Sequence, residues 1–346
     1  MTKPGPGPDL SRWCTTSPRR SRSGSAEPQI DAIAGPRRSV DPLPLVILAG
    51  RDQQGTTLPP DGRTQHRIEG HKAAEIRIAG RPMITLLLER LQASGHFDPI
   101  WVAGPADPFA RLVSVPLIDT DRHLGENLHA IVQATAHPDP LRPLVVMTSD
   151  ILPEQADLDT AFADLRAHQP VDFWMPQIRL PVRALGASAW KPTYRLVAHG
   201  EQTASAILPG QLLLAVPGIT RVDFVIAFFD LLYRTRNRSI ARRFAALAGR
   251  LTWHLLREDL RSLLRGRPTF HLPKTTLVAS RLATRLARGR ATADEMERGL
   301  QGILIQAAHR ARHPQRRAYV PVLDTLSLAR DIDTHEEARE LSRSLA

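Results

Sequence analysis

The sequence lacks several features that define common classes of protein. Cys14 is the only cysteine among 346 residues, which excludes a disulfide framework and a cysteine-ligated zinc site. No apolar run approaches the roughly 20 residues that a transmembrane helix needs. Hydrophobic residues make up 42% of the chain, as in a globular protein with one large α/β domain or two modest ones. We therefore expect a cytoplasmic protein.

Lysine and acidic residues are also scarce relative to arginine. The formal net charge is +11 and the isoelectric point is about 10.9, a balance that favours anionic partners such as nucleotides or acidic lipid surfaces. A GC-rich genome, which favours arginine codons, would produce the same balance. Residues 1–40 are rich in Pro, Gly, Ser and Arg and have no apolar periodicity, so we expect a disordered tail there. They contain no apolar stretch typical of a secretory signal.

The stretch from Pro44 to Pro82 organises the rest of the chain. Leu45–Leu48 is a short apolar run of branched residues, which predicts a strand buried on both faces. The strand ends on small residues that allow a ligand close to the backbone. A lysine, Lys72, follows about twenty residues later and leads into a second predicted strand over Glu75 to Ile78, and a helix is expected to open at Pro82. Backbone N–H groups and this lysine together predict a triphosphate site.

The pieces VILAG, HKA and IAGRPMITLLLERL resemble the opening of the molybdenum-cofactor-guanylyltransferase-like NTP transferases. These are nucleotidyltransferases with a fold like that of the glycosyltransferase-A enzymes. The resemblance implies that Leu48, Ala49, Gly50 and Arg51 lie against the nucleotide and that Lys72 offsets the charge of its phosphates. Arg51 stands where the family usually has a second glycine, and the following loop lacks the family's compact GxGxRM form. The phosphate-binding loop is therefore expected to differ in detail.

A second signal is the apolar run Leu144–Met147, which is followed by Thr-Ser and Asp150. An acid at the carboxyl end of a buried parallel strand lies where open α/β sheets bind ligands. Its hard oxygen atoms suit Mg²⁺ or Mn²⁺. In the resembling family the matching aspartate binds magnesium, which gives Asp150 a catalytic and metal-binding role. The alternative is that Asp150 only caps a helix beginning near Pro153.

Two further positions come from the same resemblance. The segment LGENLHAIVQATA predicts a helix beginning near Gly125–Asn127, and the family places such a helix start beside the base and ribose. Gly125 and Asn127 are therefore candidate nucleotide contacts. Asn127 is equally well explained as a helix cap.

A third signal closes the chain. The segment DIDTHEEAREL resembles the family's closing motif DiDTpeDl, which supplies a second protein ligand to the metal. This implies Asp333 as a metal ligand with Asp331 as an auxiliary one. Residues two apart on an extended backbone point to one face. Thr334 is a good helix cap, and capping alone is the alternative explanation of the acids.

The sequence of the middle of the chain supports less specific predictions. Residues 151–220 are expected to form a sheet over the acceptor substrate, with Lys191, Tyr194 and Gln211 as candidate contacts to a phosphorylated acceptor. An ordinary polar sheet edge explains these residues equally well. Residues 221–310 are helical and basic, with four leucines on one face of 251–267 and arginines at four-residue spacing beside them. We favour leucines packed on the sheet and solvated arginines; the alternative is peripheral contact with an anionic membrane.

Together these patterns predict a three-layer α/β/α fold with a mixed, mostly parallel sheet and extra helices in the C-terminal half. The predicted parts are a tail (1–40) and one nucleotidyltransferase domain (41–346), divided into 44–150, 151–220, 221–310 and 319–346. The predicted reaction transfers NMP from an NTP to a phosphorylated small molecule or lipid head group, requires Mg²⁺ and releases pyrophosphate. We expect no nucleic-acid partner. The alternatives are a metal-dependent glycosyltransferase of the same broad fold and a non-catalytic protein that binds nucleotides or an anionic surface.

Overall fold

The strand Leu43–Leu48 is an interior strand of a seven-stranded sheet in the computed structural model. The structure describes residues 41–51, 70–181, 193–235, 252–253, 255–257, 259–260, 263–264, 271–332 and 334–344. They belong to one unit, Asp41–Ala346. Predictions made for the tail 1–40, the loop 52–69, Lys191 and Asp333 fall outside the described residues.

The strands of the described residues, numbered in chain order, are β1 (Leu43–Leu48), β2 (Arg77–Ile78), β3 (Arg81–Pro82), β4 (Phe97–Gly104), β5 (Leu117–Asp119), β6 (Leu144–Thr148), β7 (Val171–Trp174), β8 (Gln177–Arg179), β9 (Tyr194–Val197), β10 (Ala204–Pro209), β11 (Leu212–Ala215), β12 (Ala291–Thr292), β13 (Arg317–Tyr319) and β14 (Val322–Leu323).

The α-helices are α1 (Lys72–Glu75), α2 (Met83–Ser94), α3 (Ala106–Phe109), α4 (Leu124–Ala134), α5 (Gln155–Ala167), α6 (Val222–Thr235), α7 (His271–Ala287), α8 (Ala293–Leu304), α9 (Ala307–Arg312) and α10 (His335–Ser344). Short 3₁₀ turns cover Pro217–Ile219 and Leu326–Leu328. Within the described part of the chain, no helix combines the length and the apolar character needed to cross a bilayer.

The main sheet has seven strands in the order β13-β7-β11-β6-β1-β4-β5. Four of its strand pairs are parallel, and β11 runs antiparallel to both of its neighbours. The prediction of a mixed, mostly parallel sheet is therefore confirmed. Strand β5, which directly follows Pro116, forms one edge of this sheet.

Successive residues of β1 face opposite sides of the sheet, as strand geometry requires. Leu45 and Ile47 are fully buried in the cluster that contains the apolar faces of α2 and α5. Val46 is fully buried on the other side, in a cluster with Ile131 of α4. Helices therefore cover both faces of β1, and the three-layer α/β/α prediction is confirmed. The same double burial explains why this strand is a continuous apolar run.

A second, five-stranded sheet has the order β12-β9-β10-β8-β14. The sequence predicts a strand over 190–197, which contains β9, whereas β8 and β10 carry mixed polar and apolar residues and were missed. This sheet packs around Leu196, Ile207 and Val320, which are fully buried. It occupies much of the region predicted as the acceptor side.

The boundaries differ from prediction at two places near the site. The segment 72–75 was expected to lead into a strand over 75–78. It forms the one-turn helix α1, and strand β2 begins only at Arg77. Helix α2 begins at Met83 with Pro82 as its N-cap, and it ends at Gly95, whose φ of 67° is the left-handed conformation that favours glycine.

Candidate active site at the carboxyl edge of the sheet

The ends of β1 and β6 meet at one edge of the main sheet. The two strands are parallel, with Leu48 paired to Thr148, and the N–H of Ser149 donates to the carbonyl of Leu48 at 3.1 Å. Because parallel strands end at the same edge, Gly50 and Asp150 project from neighbouring strand ends. This is the position at which open α/β sheets bind ligands.

Asp150 is half-buried at this edge and is tied to its own strand. The hydroxyl of Thr148 donates to Oδ1 of Asp150 at 2.5 Å. The alternative of a helix cap is wrong, because α5 begins at Gln155 and its N-cap is Glu154. The aspartate therefore belongs to the strand end and not to the following helix.

Gln211 lies at the same edge of the sheet, just before an antiparallel strand. It immediately precedes β11, whose first residue pairs with Met147 near the end of β6. Its carbonyl accepts the N–H of Thr148 at 3.1 Å. Its side-chain Oε1 lies 3.4 Å from the hydroxyl of Thr148, but that hydroxyl has one hydrogen, and the shorter contact to Asp150 takes it. The side-chain Nε2 of Gln211 donates to Oδ1 of Asp331 at 3.0 Å.

The backbone around Asp331 is paired with the backbone around Asp150. Asp331 forms an isolated antiparallel bridge with Ile151, and the N–H of Ile332 donates to the carbonyl of Asp150 at 2.7 Å. The closing segment is thus laid along the chain that follows β6. The structure brings together Asp150, Gln211 and Asp331, which are far apart in sequence.

The next residues fix the closing segment in place. Thr334 and Glu337 form a reciprocal cap at the start of α10: the N–H of Glu337 donates to the Thr334 hydroxyl at 3.2 Å, and the N–H of Thr334 donates to the Glu337 carboxylate at 2.9 Å. The prediction of Thr334 as a cap is confirmed. A cap at Thr334 does not account for Asp331, which pairs with Gln211.

The donor chemistry of this edge fits a hard divalent cation. Two carboxylates stand on adjacent backbones, and a hydroxyl and an amide hold one oxygen of each. Oxygen ligands of this kind, oriented by hydrogen bonds from their neighbours, suit Mg²⁺ or Mn²⁺. The residues present therefore fit the predicted metal.

Asn127 lies beside Gly50 at the end of β1. Its side chain is buried, and Oδ1 accepts hydrogen bonds from the Thr120 hydroxyl at 2.5 Å and from the N–H of Arg122 at 3.0 Å. A Cβ built on Gly50 would lie 3.6 Å from Nδ2 of Asn127. These bonds fix the amide so that its NH₂ group faces the end of β1.

The helix-cap explanation of Asn127 is not supported. Helix α4 begins at Leu124, and His123 is its N-cap, without a side-chain hydrogen bond. Asn127 lies one turn inside the helix and reaches back to the preceding loop. Gly125 is buried in the first turn of α4.

The remaining predicted nucleotide contacts are arranged around the end of β1. Ala49 is buried, and its N–H donates to the carbonyl of Ala103 at 2.8 Å, so that donor is committed to the sheet. Leu48 is half-buried, whereas Gly50 and Arg51 are exposed. Lys72 is half-buried at the first position of α1.

Tyr194 lies in the second sheet. Its hydroxyl donates to Oε1 of Gln177, a residue with no exposed surface, and burial raises the pKa of this phenol well above its ordinary value. Tyr194 therefore has its hydroxyl paired inside the second sheet, while the Gln211 side chain donates to Asp331 beside the main sheet. Two residues predicted to share a role thus lie in different settings.

Sequence reasoning missed a group around His199. Its Nδ1 lies 3.0 Å from Asp294 and its Nε2 lies 2.8 Å from Glu297. The Glu297 carboxylate also accepts the N–H of Val320 at 2.9 Å. These bonds join the turn after β9 to helix α8. The three residues come from sequence positions with no common motif, so no pattern signalled them.

No family model matches the chain, and no curated protein matches it. Among solved structures, the chain is similar to a hypothetical transferase from Thermus thermophilus, with 21% identity, 86% of this chain and 99% of that chain covered, and a TM-score of 0.49. It is similar to CMP:2-keto-3-deoxy-manno-octonic acid synthetase complexed with CTP, with 14% identity, coverage of 88% and 98%, and a TM-score of 0.45. For the bifunctional IspDF from Campylobacter jejuni the identity is 13%, the coverage 60% and 47%, and the TM-score 0.33. At these identities and TM-scores, the activity has to be inferred from the site itself.

Proposed function

We propose that the protein is a metal-dependent nucleotidyltransferase, which transfers NMP from an NTP to a phosphorylated acceptor and releases pyrophosphate. The observation that carries this proposal is the adjacency of Asp150 and Asp331. The 2.7 Å hydrogen bond from Ile332 to the Asp150 carbonyl holds the two aspartates beside the strand ends. The proposal also rests on the resemblance of three ordered sequence segments to NTP transferases.

In this proposal Asp150 and Asp331 hold Mg²⁺ or Mn²⁺, and Asp333 joins them on the basis of its sequence motif. When bound, the ion would offset charge on the triphosphate oxygens and on the reacting α-phosphate. The hydroxyl of Thr148 and the amide of Gln211 orient the two carboxylates. Oriented carboxylates bind a small, strongly hydrated ion better than mobile ones do.

The chain's other residues place the nucleotide. Gly50 has no side chain, so a phosphate or ribose can approach the end of β1. Asn127 presents an amide NH₂ group to the same place and can donate to an oxygen of the nucleotide. Lys72, half-buried at the first position of α1, offsets phosphate charge. These roles stabilise developing charge and fix geometry, which is how phosphoryl and nucleotidyl transfer are catalysed.

The reaction itself needs little covalent help from the protein. An oxygen of the acceptor phosphate forms a bond to the α-phosphorus as the bond to the bridging oxygen of pyrophosphate breaks. A phosphate oxygen is already anionic at neutral pH, so a general base is not required. The acceptor is a phosphorylated small molecule or a lipid head group.

A thermal-shift panel tests this function. ATP, CTP, GTP and UTP are each added with and without Mg²⁺ to the wild-type protein and to Asp150→Ala. A ligand at one hundred times its Kd stabilises the folded state by about 2.7 kcal/mol. We expect one NTP to stabilise the wild type only with Mg²⁺ and to have no such effect on Asp150→Ala. Asp324→Ala is the matched control, since its carboxylate is 81% exposed in a surface ion pair.

The outcomes separate the proposal from its rivals. Stabilisation that depends on neither metal nor Asp150 would refute the transferase and leave a non-catalytic nucleotide-binding protein. No stabilisation by any NTP would refute it as well and leave a protein that binds an anionic surface. A sugar nucleotide added to the same panel tests the remaining alternative, since stabilisation by it alone would indicate a glycosyltransferase. Pyrophosphate release, measured with a coupled assay on candidate acceptor phosphates, then distinguishes binding from turnover.

A further inference from the structure

One face of the helical residues between 252 and 264 is apolar and open to solvent. Every exposed large apolar side chain among the described residues lies between 253 and 277. They are Trp253 (64% exposed), Leu256 (45%), Leu260 (55%), Leu263 (58%), Leu264 (79%) and Leu277 (52%). Large exposed apolar patches mark interaction sites on soluble proteins. The earlier expectation that these leucines pack on the sheet is therefore wrong.

The opposite face of the same helical residues is already used. Leu255 is 3% exposed and packs in a cluster with Phe173 and Phe224. The carboxylate of Asp259 accepts the N–H of Leu272 at 2.8 Å, at the start of α7. At 100° per residue, Trp253, Leu260 and Leu264 lie on the side away from Leu255, and Leu256 and Leu263 lie about a quarter turn from it. One side of these helical residues thus packs on the protein's core, and the other side is apolar and exposed.

The charge of the surrounding segment is extreme. Residues 221–290 contain 16 lysines and arginines and 4 aspartates and glutamates, a net charge of +12, whereas the whole chain has +11. The rest of the chain is therefore close to neutral. Arg257 lies on the edge of the apolar face and is exposed, and Lys274 and Arg281 of α7 are exposed as well.

We propose that this apolar face, with its flanking basic side chains, docks the protein on an anionic lipid bilayer. Tryptophan and leucine side chains on one face of a helix enter the boundary between head groups and acyl chains, while arginine and lysine pair with anionic head groups. Trp253 at one end of the face has the amphipathic ring that is favoured at this depth. Charge complementarity selects an anionic surface over a neutral one. The inference does not depend on nucleotidyl transfer.

Vesicle flotation with the full-length protein tests this. The protein is mixed with vesicles of phosphatidylcholine alone or of phosphatidylcholine with phosphatidylglycerol, at low and at high salt. We expect binding only to the vesicles with phosphatidylglycerol, and weaker binding at high salt because added ions screen the attraction.

Two variants test the apolar and the basic side chains of this surface separately. Leu260→Ser with Leu264→Ser should lower the partition coefficient about tenfold or more, since each leucine loses its transfer into the apolar layer. Arg257→Glu should lower it at least about fivefold, the effect of one basic charge near an anionic surface. Arg339→Glu, an exposed charge on α10, is the matched control and should leave binding unchanged. Because all these side chains are exposed, the melting temperatures should stay the same.

Three results would overturn the proposal. Equal binding to both kinds of vesicle would show that the surface does not select anionic lipids. No binding, together with a dimer in sedimentation equilibrium that the double leucine variant dissociates, would assign the face to a second copy of the chain. No binding by a monomer would leave the face without the lipid partner proposed for it.

Discussion

The amide of Gln211 donates to the carboxylate of Asp331 at 3.0 Å, across 120 residues of chain. This bond joins the residue before β11 to the segment that closes the fold. The backbone carbonyl of the same glutamine accepts the N–H of Thr148, and the hydroxyl of Thr148 in turn donates to Asp150. Gln211 is therefore a positioning residue for the proposed metal site.

Removing the Gln211 side chain should weaken metal binding without unfolding the protein. Groups that orient metal ligands typically change metal affinity about 10–100-fold, so we expect Gln211→Ala to raise the Mg²⁺ concentration needed for NTP-dependent stabilisation by that factor. Titration of Mg²⁺ in the thermal-shift assay measures it. Gln155→Ala is the matched control, since Gln155 makes a similar 2.9 Å amide–carboxylate bond to Asp159 on the exposed side of α5. An equal effect of both variants would refute the positioning role.

Two glycines near the end of β1 should respond differently to alanine. A Cβ on Gly104 would lie 2.8 Å from the carbonyl oxygen of Ala49 and 3.1 Å from the ring of Phe109, whereas on Gly50 it would meet only Asn127 at 3.6 Å. We expect Gly104→Ala to lower the free energy of unfolding by about 1–3 kcal/mol, because backbone must move. Gly50→Ala should change it by less than about 0.5 kcal/mol. Urea unfolding measures both, and a neutral Gly104→Ala would contradict this account.

A buried carboxylate in β7 should be important for stability. Asp172 is 1% exposed and pairs with Arg316 at 2.5 Å and with His309 at 3.0 Å. Asp172→Ala leaves both partners without their anion, and such losses cost about 3–5 kcal/mol. Glu340→Ala, which breaks an exposed pair with Arg330, should cost less than about 1 kcal/mol. Chemical denaturation compares the two variants, and similar costs would show that burial adds nothing to the Asp172 pair.

Tyr194 and Tyr319 should ionise only when the protein unfolds. Burial raises the pKa of Tyr194 and of Tyr319 above the ordinary 10.0, and the Asp164 carboxylate adds to the shift at Tyr319. Below pH 10 both phenols are neutral in the folded and unfolded states, so they make no pH-dependent difference. Above pH 10 the unfolded state loses their protons first, and the free energy of unfolding falls as the pH rises.

Absorbance of tyrosinate measures this directly, because the chain has only 3 tyrosines. In denaturant all of them should titrate near pH 10. In the folded protein at least two should resist titration until the alkaline unfolding transition. Tyr194→Phe should remove one of the resistant phenols, and titration of all three near pH 10 in the folded state would disprove the burial effect.

The sequence by itself determined the central strand, the flanking helices and the class of fold. Leu45, Val46 and Ile47 have to be buried on both faces, and α2 has an apolar stripe that ends at Gly95; these local patterns depend on neighbours within a few residues. Asp150 and Asp331 were found in the same way, as acids at the ends of recognisable segments. Their roles as metal ligands remain predictions.

Only the tertiary structure decided which of these residues meet. Gln211 was expected at the acceptor, but the antiparallel insertion of β11 beside β6 places it against Asp331. The open face around Leu260 and Leu264 was equally undetermined, since a leucine stripe has the same spacing whether a core or solvent faces it. Strand order and the burial of each face depend on contacts between distant segments, and local sequence periodicity does not encode those contacts.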